Sequence, residues 1–201
     1  MKERKSLFWL LSRLSLSIEQ ANTLFNTEYR QKAKIDCSDR EIIENPYLLY
    51  ERTRICADEL RIAVRKVDMA VFPPEEIRDM NPLHSPSTLD SGNDERRIRA
   101  IAVGILERQT DNGHTVYPQN KLIIDINDLP IEPGCRVSGD IFTSIQGFFS
   151  DELALVECAD GSIAYQLNRL AEIDDVIRTA VHKRVNARRH EVLEDWKKIV
   201  D

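Results

Sequence analysis

The chain has 201 residues, of which 42% are hydrophobic and 31% are charged. This balance is typical of a globular protein with a buried core and argues against an intrinsically disordered chain. The formal net charge of -6 argues against a protein whose whole surface binds nucleic acid. No apolar run approaches the length that crosses a bilayer, so the sequence predicts no membrane partner.

The N-terminus and the cysteines indicate a cytoplasmic protein. The apolar residues 7–11 are followed by Ser12 and Arg13 and have no small-residue cleavage site, so we predict no signal peptide. The cysteines and histidines form no C-x-x-C or other metal-ligand spacing. They are Cys37, Cys56, Cys135, Cys158, His84, His114, His182 and His190. We predict reduced thiols and no metal site, with a zinc site built from distant residues as the alternative.

Charge is distributed unevenly along the chain. Residues 1–34 hold seven Lys or Arg against three acids, giving +4, and residues 178–190 hold five against none, giving +5. Residues 35–177 hold fourteen basic against twenty-seven acidic side chains, giving -13. Contacts with phosphate are therefore expected near the two ends of the chain rather than on its acidic middle.

Repeated start signals predict short helices in the first eighty residues. Ser17 with Gln20, and Ser38 with Glu41, match the capping box, in which two side chains satisfy free amides reciprocally. The pair Asn45-Pro46 then predicts a further helix start. Three starts within thirty residues indicate a compact helical array.

Residues 60–93 contain an ambiguous segment and then a break. Residues 60–64 alternate as in a strand, whereas Val64, Val67 and Val71 suit a helix, and both readings stay open. Pro73-Pro74 ends the segment in either case. Residues 81–93, NPLHSPSTLDSGN, predict a linker between two domains because Pro, Ser, Asn and Gly dominate them.

The clearest helix follows this linker. Its apolar stripe has the spacing i, i+3, i+4, i+7, i+8, and its outer face is predicted to be Arg and Glu. The stripe is Ile98, Ile101, Ala102, Ile105 and Leu106. Asn93 or Asp94 can cap the first turn, and the residues Asp111-Asn112-Gly113 predict its end.

Residues 94–170 have the element order of a winged helix. Helices are predicted at 94–111, 118–129 and 138–149, with the third placing Ile141, Ile145, Phe148 and Phe149 on one side. Strands at 153–158 and 163–167 flank Asp160-Gly161, a strong hairpin signal. The third helix of such a fold often reads DNA bases. Its exposed side offers Asp140, Thr143, Ser144 and Gln146 with only Arg136 nearby, so we predict a packing module instead.

The last helical stripe runs from Leu170 to Val181, and its pattern continues through Leu193, Trp196 and Ile199. Residues 178–190 carry five cations and no acid, which would attract a phosphate backbone. The predicted DNA-binding residues are Arg178, Lys183, Arg184, Arg188 and Arg189. Two alternatives stay open, a solvated helix face and a surface that contacts a further domain.

Three segments in chain order resemble the N-terminal region of RecD-like helicases, superfamily 1 DNA motors related to the exonuclease V alpha subunit. They are residues 44–51 (ENPYLLYE), residues 67–73 (VDMAVFP), and helix 94–111 with its exit Gly113-His114-Thr115-x-x-Pro118. The resemblance covers roughly residues 10–177. It implies a mainly α fold, a helix-hairpin-helix array followed by a winged-helix-like unit with one β-hairpin. The implied parts are residues 1–80, a linker at 81–93, the winged unit at 94–170, and a helix at 171–201 leading toward a motor domain.

The helix-hairpin-helix array is expected to be degenerate. In the family, a glycine-containing hairpin presents backbone amides to phosphate. Residues 14–21 occupy the place of the first hairpin, but no glycine precedes Gly92. Without glycine the backbone cannot easily adopt the positive φ angles that direct successive amides at an anion. We therefore expect the fold to be kept and this phosphate contact to be lost.

The resemblance implies ATP and magnesium for the motor domain, which this sequence lacks. The nearest match to a phosphate-binding loop is residues 134–141, where Asp140 replaces the lysine and Ile141 the hydroxyl residue. We expect no catalytic residue and no cofactor in this fragment. The expected function is an accessory fragment of an ATP-dependent helicase in recombination and repair, with DNA (weak, sequence-independent) and the motor domain as partners. The alternatives are a dimeric winged-helix regulator and a protein-interaction module without DNA binding.

Overall fold

The structure, a computed structural model, describes residues 2–187. Within this range the chain is mainly helical, with 58% helix and one small antiparallel sheet of three strands. None of the described helices is both long and apolar enough to cross a membrane. Arg188 and Arg189, and the continuation of the stripe to Ile199, lie outside the described residues.

Short helices make up the N-terminal part. They are α1 Lys2–Leu11, α2 Ile18–Phe25, α3 Thr27–Lys32, α4 Asp39–Glu44, α5 Leu48–Thr53, α6 Val64–Val71 and α7 Glu75–Met80, with a 3-10 turn at Asp58–Leu60. Both predicted capping boxes are confirmed, at Ser17 before α2 and at Ser38 before α4. The ambiguous segment is helical from Val64 to Val71, and the helix stops before Pro73-Pro74.

The second part contains the longer helices and the sheet. Its elements are α8 Glu95–Asp111, β1 Tyr117–Pro118, α9 Gln119–Asn127, α10 Gly139–Ser144, α11 Gln146–Phe149, β2 Leu153–Glu157, β3 Ile163–Leu167 and α12 Asn168–Val185. The Asp94 side chain accepts from the amide of Arg96 and caps α8, while Gly113 has the left-handed φ of 88° just beyond its end. Both predicted ends of this helix are confirmed.

The predicted outer face of α8 is wrong at two positions. Arg97 is fully buried and Arg99 is 3% exposed, although both were expected to face solvent. Each guanidinium forms a two-point ion pair with a carboxylate of the N-terminal part, so burial leaves neither charge unpaired. Helix α8 is therefore buried on more sides than an apolar stripe indicates.

The predicted third helix is two short helices instead. Ile145 has φ -96° and ψ 4° and separates α10 from α11. The buried side chains are Phe142 and Phe149, whereas Ile141 is 38% exposed. The rings of Phe142 and Phe149 have centroids 4.8 Å apart and both contact Tyr165 of β3 at right angles. Aromatic packing on the sheet therefore decides which side faces inward.

The predicted hairpin is confirmed, with β2 and β3 paired from Leu153↔Leu167 to Glu157↔Ile163. Gly161 takes a φ of 78° in the turn, as the Asp-Gly signal requires. A strand that was not predicted, β1, pairs with the other edge of β3, and the sheet order is β1-β3-β2. Strand β3 is thus central and is buried at Ala164, Tyr165 and Leu167.

A single hydrophobic core takes residues from both sides of segment 81–93. Helices α5 and α6 both contact α8. The segment itself is irregular, and its Ser87 is buried with its hydroxyl donating to the backbone oxygen of Ile43 at 2.7 Å. Residues 81–93 therefore pack against the helices that they connect.

Gly92 lies where two backbone segments approach closely. A Cβ at this position would lie 2.8 Å from the backbone oxygen of Gly134 and 3.1 Å from Nη1 of Arg97. We expect Gly92→Ala to lower the free energy of unfolding by about 1–3 kcal/mol, as overpacking does. Urea unfolding followed by circular dichroism measures the change.

Gly139→Ala is the matched control, because a Cβ there has nothing within 4 Å. This glycine is the first residue of α10, so alanine should be neutral or stabilise slightly. Equal stability of the two variants would contradict the close approach at Gly92.

Candidate nucleic-acid interface

Helix α12 carries three of the five predicted DNA-binding residues, Arg178, Lys183 and Arg184, and begins directly after β3. The backbone amide of Asn168 donates to the oxygen of Glu152, and its side chain donates to the oxygen of Ser150. These bonds hold the first turn against the β2 end of the sheet. From Glu172 to Val185 every side chain of α12 is exposed.

The three predicted cations within the described residues are all exposed on α12. Arg178 is 66% exposed and donates to Asp174 one turn earlier at 2.7 Å. That hydrogen bond raises the pKa of the Arg178 guanidinium above its ordinary value. Lys183 and Arg184 lie in the last turn together with His182. A cationic helix end complements the helix dipole, which is negative there.

These cations do not share one face. Successive residues of a helix are rotated by about 100°, so Arg178, Lys183 and Arg184 are separated from one another by at least about 100° around the axis. A phosphate backbone lying along α12 therefore meets one or two of them at a time. The structure brings Lys183 and Arg184 to one end of the helix, and it leaves Arg178 on another side, paired with Asp174.

Sequence reasoning missed a set of buried ion pairs between the two parts of the chain. Arg97 donates to both carboxylate oxygens of Asp68, at 2.7 and 2.8 Å. The Tyr47 hydroxyl donates to the same carboxylate at 2.6 Å. Burial raises the pKa of Tyr47, so its hydroxyl stays protonated as a donor. Arg97 also donates to the backbone oxygens of Gly92 and Pro133, which satisfies both N–H groups of Nη1.

A second buried pair lies on the same helix. Arg99 donates to both oxygens of Glu51, at 2.9 and 2.8 Å, and to the backbone oxygen of Phe148 at 3.0 Å. Its guanidinium also lies 4.2 Å from the centre of the Phe148 ring. Glu51 is fully buried. The pair therefore connects α5 to both α8 and α11.

A third group of charges lies nearer the surface. Arg54 donates to Glu107 at 3.0 Å and to Glu152 at 2.7 Å. Arg52 also pairs with Glu152, and Arg169 at the start of α12 pairs with Glu107. The first turn of α12 is thereby joined to α8, and α8 to α5.

These ion pairs connect three short segments of the sequence. Residues 44–51 supply Tyr47 and Glu51, residues 67–73 supply Asp68, and helix 94–111 supplies Arg97 and Arg99. One feature of the sequence could have indicated these pairs. Arg97 and Arg99 flank the apolar residue Ile98, and when the apolar face of a helix is wide, a charged residue at its edge is expected to be buried and paired with an opposite charge.

Other candidate groups offer little chemistry. Arg136, the only cation expected near the third helix, donates to the backbone oxygen of Asn127 at 3.0 Å. The hydroxyls of Thr143 and Ser144 donate to backbone oxygens of α10. Between residues 2 and 187, no three His, Cys, Asp or Glu side chains are grouped so that they could hold a metal ion.

Comparison of the chain with protein-family models, with curated proteins and with solved structures gave no match.

The Asp68 carboxylate is expected to control stability. Asp68→Asn leaves the fully buried Arg97 charge without an anion, which destabilises a protein by about 3–5 kcal/mol. Urea unfolding of this variant measures the loss.

Glu75→Gln is the control, because Glu75 is 80% exposed and its pair with Arg78 is long, at 3.5 Å. Removing an exposed pair of this kind changes stability by at most about 1 kcal/mol. Equal urea midpoints for Asp68→Asn and Glu75→Gln would mean that the Asp68–Arg97 pair does not stabilise the fold.

Two thiols are expected to react slowly in the folded protein. Burial raises the pKa of Cys37 and of Cys135 to about 11, so few thiolates exist at pH 8. Alkylation by iodoacetamide, mapped by mass spectrometry, should therefore accelerate continuously from pH 7 to pH 9.5 at both sites. In urea both should react fast and level off near pH 9. Fast labelling of folded Cys135 at pH 7 would contradict its burial.

Proposed function

We propose that this chain is an accessory, DNA-contacting region of an ATP-dependent RecD-like DNA helicase that acts in recombination and repair. The observation that carries the proposal is the meeting of its three family-like segments in one set of buried ion pairs. Short motifs that match by chance have no reason to share contacts. Here Asp68 from the second segment binds Arg97 from the third and Tyr47 from the first.

The element order supports a winged-helix unit in residues 94–170. Helix α8 is followed by β1, α9, α10 and α11, and then the β2–β3 hairpin, with β3 between the other two strands. Three helices followed by a hairpin is the element order of a winged helix, with α10 and α11 together in the place of the third helix. The cations missing from α10 and α11 favour a packing role for this unit over base reading.

The N-terminal helices support a degenerate helix-hairpin-helix array. Short turns connect α1 to α2 and α3 to α4, and side-chain oxygens of Ser17 and Ser38 cap the helices that follow. Each serine oxygen accepts a hydrogen bond from a backbone amide at the helix start, where a glycine hairpin would present its amides to phosphate. The array therefore serves as structure in this proposal, and DNA is contacted elsewhere.

DNA contact is assigned to the cations at the C-terminal side of α12. Lys183 and Arg184 form a cationic helix end, and Arg188 and Arg189 follow within five residues in the sequence. Contacts of this kind attract the phosphate backbone and carry no sequence information. ATP and magnesium would belong to the motor of the helicase, because residues 134–141 lack the lysine and hydroxyl that hold them.

A protein-interaction module is the second candidate function. It is favoured by the exposed apolar side chains of α12 and by the -13 charge of residues 35–177. A dimeric sequence-reading regulator is less well supported. Its reading helix would be α10 and α11, and the nearby Arg136 already donates to the backbone oxygen of Asn127.

Fluorescence anisotropy with a labelled duplex tests the DNA contact. Each phosphate contact contributes about -0.9 to the slope of log affinity against log salt concentration, so Arg188→Gln with Arg189→Gln should reduce that slope by about 2. The double variant K183Q/R184Q should act in the same direction.

The matched control removes two exposed cations from the acidic middle of the chain, in the double variant R78Q/K121Q. Arg78 is 57% exposed and Lys121 is exposed, and neither belongs to the cationic end of α12. Its salt slope should equal that of the unaltered protein. A DNA affinity that does not change with salt concentration, or that is unchanged when Arg188 and Arg189 are replaced, would contradict the assigned contacts. No binding at low salt would favour the interaction module, and one preferred duplex sequence would favour the regulator.

A further inference from the structure

Helix α12 exposes an apolar face that no described residue covers. Ile173 is 52% exposed, Val176 70%, Ile177 56% and Val181 52%. At about 100° per residue these four side chains lie within about 140° of the helix circumference. Apolar side chains scattered over a surface are ordinary, but a contiguous stripe on a projecting helix is typical of an interaction site.

The charges along the exposed part of α12, Glu172 to Val185, are divided between its two halves. Glu172, Asp174 and Asp175 lie in the first half, and Arg178, Lys183 and Arg184 lie in the second. An identical helix placed antiparallel would bring the basic half of one copy to the acidic half of the other. A parallel arrangement would oppose like charges instead, which is unfavourable.

We propose that the apolar face of α12 binds the same face of a second copy of this chain, antiparallel and around a two-fold axis near Ile177. Two residues of the face are placed symmetrically about that position. Ile173 and Val181 are each four residues from Ile177, so in this arrangement Ile173 meets Val181 of the partner subunit. An interface of this symmetry is self-complementary and closes as a dimer.

The flanks of the stripe fit the same axis. Glu172 and Lys183 lie on one flank, within about 20° of each other around the helix. The midpoint between positions 172 and 183 lies within one residue of Ile177. In the antiparallel arrangement Glu172 therefore faces Lys183 of the partner subunit, and the reverse contact follows by symmetry. Both side chains are exposed, and neither forms an ion pair within residues 2–187.

The expected dimer is weak. The exposed part of α12, Glu172 to Val185, is about 21 Å long, and two helices of about 10 Å diameter bury far less than the roughly 1,200 Å² of a stable complex. Dissociation constants in the micromolar range or above are therefore expected. Arg184 lies on the same side of α12 as the four apolar residues, about 20° from Ile177 around the helix, so association and DNA affinity are measured on different variants.

Sedimentation equilibrium of the full chain, from about 10 µM to about 1 mM, tests the proposal over the expected range of affinity. The unaltered protein should approach twice the monomer mass at the upper end. Ile177→Asp should stay monomeric, because two carboxylates would face each other on the axis. Ile124→Asp on α9 is the matched control, since Ile124 is 55% exposed, and it should dimerise like the unaltered protein.

Charge reversal tests the antiparallel orientation. Glu172→Lys alone and Lys183→Glu alone should each weaken association about tenfold, since each opposes like charges at two symmetric sites. An equal mixture of the two variants should recover dimers, because each reversed charge then faces its opposite. A parallel pair would not place Glu172 opposite Lys183, so neither single reversal would create new like-charge contacts there, and association that both single variants leave unweakened would indicate the parallel arrangement.

Three results would overturn the proposal. They are a monomer throughout the concentration range, association that Ile177→Asp leaves unchanged, and a mixture of the two charge-reversed variants that fails to recover.

Circular dichroism and urea unfolding of every variant establish that it is folded before association is compared. DNA affinity is compared with the neutral variant Ile177→Ser, which adds no charge to α12 and should bind DNA like the unaltered protein if the proposed phosphate contact holds, so either proposal can fail without the other.

Discussion

The pair between Arg97 and Asp68 is the interaction on which the arrangement of this protein depends. Both groups are buried, and taking two charges out of water is favourable only when every donor and acceptor is paired. Here the carboxylate accepts from Arg97 and from Tyr47, while the guanidinium also binds the backbone oxygens of Gly92 and Pro133. Helix α6, helix α8 and two loops are therefore fixed relative to one another by a single side chain. A Cβ at Gly92 would lie 3.1 Å from this guanidinium and closer still, 2.8 Å, to the backbone oxygen of Gly134.

The buried charges also explain why the two parts of the chain share one core. Arg99 with Glu51, and Arg54 with Glu107 and Glu152, repeat the same connection at other points along α8. Apolar packing alone tolerates small rotations of one helix over another, whereas two-point ion pairs fix orientation as well as distance. The charged contacts therefore set how the N-terminal helices lie on α8, and the apolar contacts supply most of the stabilisation.

Local features of the fold could be predicted from the sequence, and long-range features could not. The capping boxes, the ends of α8 and the Asp-Gly hairpin depend on residues within a few positions of one another, so their patterns are visible in the chain. The inward direction of Arg97 and Arg99 depends on carboxylates 29 and 48 residues away. Strand β1 has two residues, too few for alternation. On either side of the break at Ile145, Phe142 and Phe149 pack on Tyr165, which lies far along the sequence. For the candidate interface, composition located the cations of α12, and only the helix geometry showed that they face different directions.

The direct junction between β3 and α12 has a mechanical consequence. Leu167 is the last residue of the strand and Asn168 the first of the helix, so no hinge separates them. A force that tilts the outer end of α12 is transmitted to the central strand of the sheet and to the aromatic cluster around Tyr165. The direction of the helix is therefore set by β3 and by the contacts of its first turn with Ser150, Glu152 and Glu107.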